Sequence, residues 1–200
     1  MSRTQMADAQ SQHLVIATYA SHVEAAAALH QLRSCGFDMK KWSILGKDVL
    51  AQEGSFGFYS SGNHMKFWAG RGDVWADVWS ILLGGGFFFI PPIGPLVVMG
   101  PLATWIVDAL ETAAAGEESL APGIVLMRVG LPSDRVERYE LDVRSGNYLV
   151  LALGSALLAE SARVVLSATS ASQLYTVRAP QDHAQRSIAE RSSHPNMIEQ

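Results

Sequence analysis

The side chains in this sequence that could ligate a metal or move a proton are six histidines, one cysteine and nineteen carboxylates. A metal site needs several ligands converging on one point. His22 and His30 lie eight residues apart on one expected helix, about two turns, which is too far to share an ion. His64 falls in a loop, and His13, His183 and His194 lie in or beside polar tails, so no metal site is expected. Cys35 precedes Gly36 at the expected C-terminus of that helix, where the helix dipole disfavours a thiolate. Gly84-Gly85-Gly86 lacks the further glycine and the acidic partner of a dinucleotide fingerprint and runs into Phe87-Phe88-Phe89. Gly46-Lys47 has Asp48 where a phosphate-binding loop carries Ser or Thr. Arg71-Gly72-Asp73 spells an adhesion tripeptide with nothing extracellular around it. Asp134, Glu137, Glu140 and Asp142 fall on a solvated helix, each with a capping or pairing role. No catalytic residue and no cofactor is expected, and the chain does not read as an enzyme.

Those side chains must be carried by one ordinary domain, or by a small domain with an appendage, in 200 residues. Residues 1–12 and 179–200 are polar and aperiodic, too poor in apolar groups to offset ordering entropy, and are expected to be disordered tails. A net charge of −4 without a basic stripe argues against nucleic acid as partner. One cysteine, no signal-like start and no glycosylation sequon lead us to expect the cytosol or the cytoplasmic face of a membrane.

The first half opens with a β-rich run, Leu14–Tyr19, followed by Ser21 as an expected N-cap. Ala25, Ala28, Leu29 and Leu32 recur at helical spacing, Gly36 and Phe37 form a C-terminal stop, and Trp42–Leu45 reads as a second strand. In the second half, Ile124–Val129 reads as a strand. A helix follows with Asp134 as cap and Glu137 as its capping-box partner, burying Val136, Tyr139 and Val143. Asp134–Arg138 and Glu140–Arg144 are its expected surface pairs, and Gly146 closes it. Tyr148–Leu153 reads as a strand covered on both faces, Ser155 caps a third helix, and Gln173–Val177 is a last strand. The expected class is α+β: a ferredoxin-like mixed sheet built from two β-α-β units, with an extra helix and strand. The α/β domain would comprise residues 13–53 and 120–178, interrupted by residues 54–119.

The interruption is the unusual part. Val78–Val107 runs for thirty residues without a charge. Pro91, Pro92 and Pro95 with Gly94 preclude one continuous helix, leaving two expected helical arms over residues 72–90 and 96–115. The uncharged part of each arm would be only about 18–20 Å long, against about 30 Å of bilayer hydrocarbon. A re-entrant hairpin fits better, with Ile93 at its deepest point and Trp75, Trp79 and Trp105 near a headgroup layer. Self-association through this hairpin of Gly, Ala, Leu and Phe (with Phe87, Phe88 and Phe89 at its centre), or burial within the monomer, accounts for the same composition. If the hairpin is an appendage, replacing Trp79–Ile106 with a short Gly/Ser linker should leave a folded domain.

The opening LVIATYASHVEAAAALHQLRSCGF, the hairpin FFFIPPIGPLVVMGPLATWIVDALE and the stretch VGLPSDRVERYELDVRSGNYLVLALGSALLAESARVVL together resemble a bacterial family of general or heat-induced stress proteins. The motifs carrying the likeness are Gly130-Leu131-Pro132-Ser133-Asp134 and Ser145-Gly146-Asn147-Tyr148-Leu149-Val150. The resemblance implies a stress-associated protein without an agreed active site. Two functions are expected. One is attachment to a membrane through the hairpin, with the α/β domain as interaction module. The other is a soluble homo-oligomeric regulator that binds a small ligand and has the hairpin at its core.

Overall fold

A computed structural model of the chain describes residues 12–47, 73–82, 85–90, 94–113, 126–127 and 131–179. The first half forms as its pattern dictates: β1 (His13–Tyr19), α1 (His22–Ser34), a short 3-10 turn (Met39–Lys41) and β2 (Trp42–Lys47). Ser21 caps α1 by accepting from the Glu24 backbone N–H at 3.2 Å. Phe37 N–H reaches Leu32 C=O and Gly36 N–H reaches Arg33 C=O, the pair of bonds that ends a helix in a Schellman turn. Ala25, Ala28, Leu29 and Leu32 are buried as their spacing requires.

The two expected arms are helical only in their outer parts, and their inner parts are strands. The interruption is a helix, α2 (Asp73–Leu82), then a β-hairpin of β3 (Gly85–Ile90) and β4 (Gly94–Met99), then a helix, α3 (Pro101–Ala113). Phe87-Phe88-Phe89-Ile90 and Leu96-Val97-Val98-Met99 are short apolar runs punctuated by Gly and Pro. Such runs fit a buried strand as well as a helix segment, so periodicity alone does not separate the two. Once β4 finds β2, the choice is made by pairing.

Further on come α4 (Ser133–Arg144), β5 (Tyr148–Gly154), α5 (Ala156–Ser167) and β6 (Gln173–Arg178). Val136, Tyr139 and Val143 form the buried face of α4, and Ser155 caps α5 by accepting from Leu158 N–H at 3.2 Å. Two expectations are corrected here. The N-cap of α4 is Pro132, without a side-chain hydrogen bond, so Asp134 is a first-turn acid that favours the helix dipole and lies near Arg135. Of the expected strand over residues 124–129, only Leu126 and Met127 are described, and both are helical.

All described strands join one antiparallel sheet in the order β3-β4-β2-β5-β1-β6. Its class is α+β. The units β1-α1-β2 and β5-α5-β6 interleave, because β5 inserts between β1 and β2. The second unit is therefore one helix and one strand later in the chain than the order of expected elements suggested. Strand alternation gives the sheet two apolar faces. On one, Val15, Tyr19, Ile44, Val97 and Val150 pack under α1, α2 and α5. On the other, Ile16, Leu45, Phe88, Val98 and Leu151 pack under α3 and α4. Both faces are covered, which explains why β5 and β4 read as continuous apolar runs.

One junction locks the hairpin to the first β-α-β unit. Gly100 at the mouth of α3 has φ +84°, and a Cβ there would collide with the Trp42 carbonyl oxygen. Pro101 takes the first helical position, where its missing N–H is harmless. The side-chain cap comes from another strand: buried Ser43 Oγ of β2 accepts from Leu102 N–H at 3.0 Å.

Candidate functional site

Two places on this frame combine residues able to act on something else. The first is the outer margin of the sheet at β3. The strand pairs with β4 in unbroken register, from Gly85 opposite Met99 to Ile90 opposite Gly94. Its other side is a sheet edge among the described residues. Phe88 is fully buried in the core beneath α3. Gly86 and Phe88 to Ile90 carry neither charge nor proline, the usual means by which natural edges are blunted.

The described residues expected to meet lipid or another copy are thus dispersed over four elements. Trp75 and Trp79 belong to α2, Phe87, Phe88 and Phe89 to β3, Gly94 and Pro95 to β4, and Trp105 to α3. Pro91, Pro92 and Ile93 lie outside the described residues. Trp105 packs, partly buried, against the core below α3. Leu96, Val97, Val98 and Met99 are buried within the sheet. No helix among the described residues is long and apolar enough to cross a membrane.

The second place is the end of the sheet where β1 and β2 finish and β5 and β6 begin. Tyr19 is buried and its hydroxyl lies 2.9 Å from Thr169 Oγ1. Thr169 gives its own proton to the Leu166 carbonyl at 2.6 Å, so it accepts from Tyr19. Tyr148 donates to the Lys47 carbonyl at 2.9 Å and its ring fills the space a side chain at Gly46 would need. The His22 ring meets it edge-on at 5.9 Å. Ser172 closes the group by donating to Thr18 C=O at 3.0 Å. Farther along α1, about two turns from His22, His30 pairs with Asp77 of α2. This network ties helix ends to strand ends. Among the described residues, no three His, Cys, Asp or Glu side chains converge as a metal site would require.

Two phenols have their ionisation displaced. Burial pushes Tyr139 up to about 12, with the Arg135 guanidinium opposing and Asp142 reinforcing. Burial also raises Tyr19, against the hydrogen bond to Thr169 and with the Glu24 carboxylate adding to it. Both phenols are therefore neutral at physiological pH and serve as packing groups. A folded-state pKa above the unfolded value of about 10 gives stability that is complete below pH 10. It is lost as pH rises through the folded value. The urea midpoint should accordingly fall between about pH 10 and 12, and Tyr139→Phe should make that decline shallower. An equal slope in the Phe variant, measured by circular dichroism, would assign the alkaline loss to other groups.

No family model, no curated protein and no solved structure matches this chain. Sequence reasoning missed the sheet edge at β3. The signal that could have found it is the pair of six-residue apolar runs on either side of a Pro-Gly turn.

Proposed function

We propose that this protein is a non-enzymatic interaction protein that acts as a homo-oligomer, with the margin of its sheet at β3 as the assembly surface. The observation that carries this reading is an uncharged, proline-free strand that is an edge of the sheet among the described residues, in unbroken register with its neighbour. Its interleaved units β1-α1-β2 and β5-α5-β6 support a ferredoxin-like core, with β3, β4, α3 and α4 added around it. A small ligand held between subunits would extend the same reading to a regulator. A role in a stress response rests on the sequence resemblance alone.

Membrane attachment is the weaker alternative. Phe88, Leu96, Val98, Leu102 and Ile106 would have to face lipid, yet they are buried against the protein's own sheet. Moving them into a bilayer would exchange one apolar environment for another and gain little.

Sedimentation velocity of the full chain, without detergent or lipid and over a wide concentration range, tests the proposal. A concentration-dependent rise from monomer to a discrete oligomer is expected. A monomer at every concentration that floats with anionic vesicles would replace assembly with lipid binding.

A further inference from the structure

We propose that the end of the sheet where β1, β5 and β6 meet binds an oxyanion, the carboxylate or phosphate group of a small ligand, through His13, Thr176 and Arg178. The inference is independent of the assembly proposed above.

Strand register places the three side chains together. His13 opens β1 directly opposite Gly154 of β5 on one side and Arg178 of β6 on the other, while Val15 lies opposite Thr176. Residues directly opposite across an antiparallel ladder share a face, and diagonal neighbours are within reach of long side chains. His13, Thr176 and Arg178 therefore stand on one face, the one that α5 covers. Ala179 N–H donates to the Gln12 carbonyl at 2.7 Å. The next pair inward, His13 with Arg178, is then of the non-hydrogen-bonded kind, whose side chains approach most closely. A Cβ at Gly154 would lie 2.9 Å from Leu158, so α5 closes directly over the strand beside His13.

Two polar atoms in this group lack partners. His13 Nδ1 and Thr176 Oγ1 are shut off from solvent, and neither makes a hydrogen bond. Folded proteins rarely leave such atoms unsatisfied, and each case needs a reason. The two residues are diagonal neighbours, so one bound group accounts for both atoms. Charge selects what that group is. Arg178 is exposed, and a guanidinium has five donors and no acceptor. Among the described residues no carboxylate pairs with it. The first turn of α5 contains no acid, and Glu160 beyond it is engaged by Arg163. The Thr176 hydroxyl and an imidazole N–H add further donors. A cation would find no counter-charge here, and a water molecule would bring none to the guanidinium. An oxyanion supplies both charge and acceptors, and guanidinium matches its geometry with two parallel hydrogen bonds.

Long-range proton–nitrogen NMR of the full chain, with the His13 ring assigned through His13→Gln, tests this directly. Inorganic phosphate and acetate are titrated separately, each against sodium chloride at equal ionic strength and neutral pH. Saturable shifts of the His13 ring nitrogens and the Thr176 amide are expected with at least one oxyanion, and the tighter of the two names the ligand's head group. Arg178→Gln alters an exposed side chain and should weaken that binding roughly tenfold or more, with the urea midpoint unchanged. Shifts that grow linearly and equally with all three salts would overturn the proposal and leave the two buried atoms to water. Saturable binding that survives Arg178→Gln undiminished would place the anion at another surface and overturn this site.

Discussion

Replacing Trp79–Ile106 with a short Gly/Ser linker should abolish the cooperative unfolding transition of this protein. The composition of the segment suggested the opposite, that it is an appendage whose removal only closes a loop. The sheet reverses the expectation. The replaced stretch includes Leu82, Phe88, Leu96, Val97, Val98 and Leu102, none more than 1% exposed. Burying a large apolar side chain contributes roughly 1.5–3 kcal/mol. Six of them approach or exceed the whole net stability of an ordinary domain, about 5–15 kcal/mol. The deletion also strips β4 from β2, turning an interior strand into an edge. Urea titrations followed by far- and near-ultraviolet circular dichroism should show a broad, shallow decay and dye binding to exposed apolar surface. A steep two-state transition with retained near-ultraviolet signal would mean that the remaining strands form a self-sufficient core.

Gly100→Val should be among the most damaging single substitutions in the chain. Gly100 has φ +84°, a conformation costing an L residue about 1–2 kcal/mol and a β-branched one more. The new Cβ would also collide with the Trp42 carbonyl oxygen, a backbone atom of β2 that cannot rotate aside. Relieving that collision moves the start of α3 away from Ser43, leaving the buried Leu102 N–H without its acceptor. An unsatisfied buried donor costs about 1–3 kcal/mol. The total is on the order of 4 kcal/mol, at the extreme of single-residue effects. Gly36→Ala is the control. Its φ is +83°, nearly the same, but a Cβ there meets nothing within 4 Å. It should lose only the conformational term, about 1 kcal/mol. Equal losses for the two variants in denaturant titrations would show that the contact with Trp42 contributes nothing.

Much of the fold was written locally. Ser21 and Ser155 stand one residue before their helices and cap them, Gly36 ends α1, and the spacing of Val136, Tyr139 and Val143 marks the face that α4 buries. These features depend on hydrogen bonds and side-chain periods within one or two turns, which a sequence displays directly. Tyr148–Leu153 could be read as a strand covered on both faces because so short a run is too brief for an isolated helix and too apolar for a wet strand; the observed strand runs one residue further, to Gly154. The position of Asp134 invited a cap assignment that Pro132 took instead. Either residue can start a helix, and the choice depends on how the chain arrives from Leu131.

The uncharged run was the place where sequence stopped deciding. Absence of charge from Val78 to Val107 says that this stretch avoids water, and nothing about what replaces water. Lipid, a second copy and the protein's own sheet are equally apolar surroundings. Tertiary structure settled the choice for the buried residues by pairing Leu96–Met99 with Ile44–Lys47 across a gap of about fifty residues, and by drawing the cap of α3 from Ser43. Strand pairing is a contact between distant backbones, set by which edges become available once the first units fold, and no local pattern encodes it. Sequence by itself determined that residues 78–107 avoid water, and where α1 and α5 of the flanking halves begin. Only the assembled sheet decided that the shelter is largely its own core, because β2 offered an edge whose hydrogen bonds and two apolar faces β4 could satisfy together.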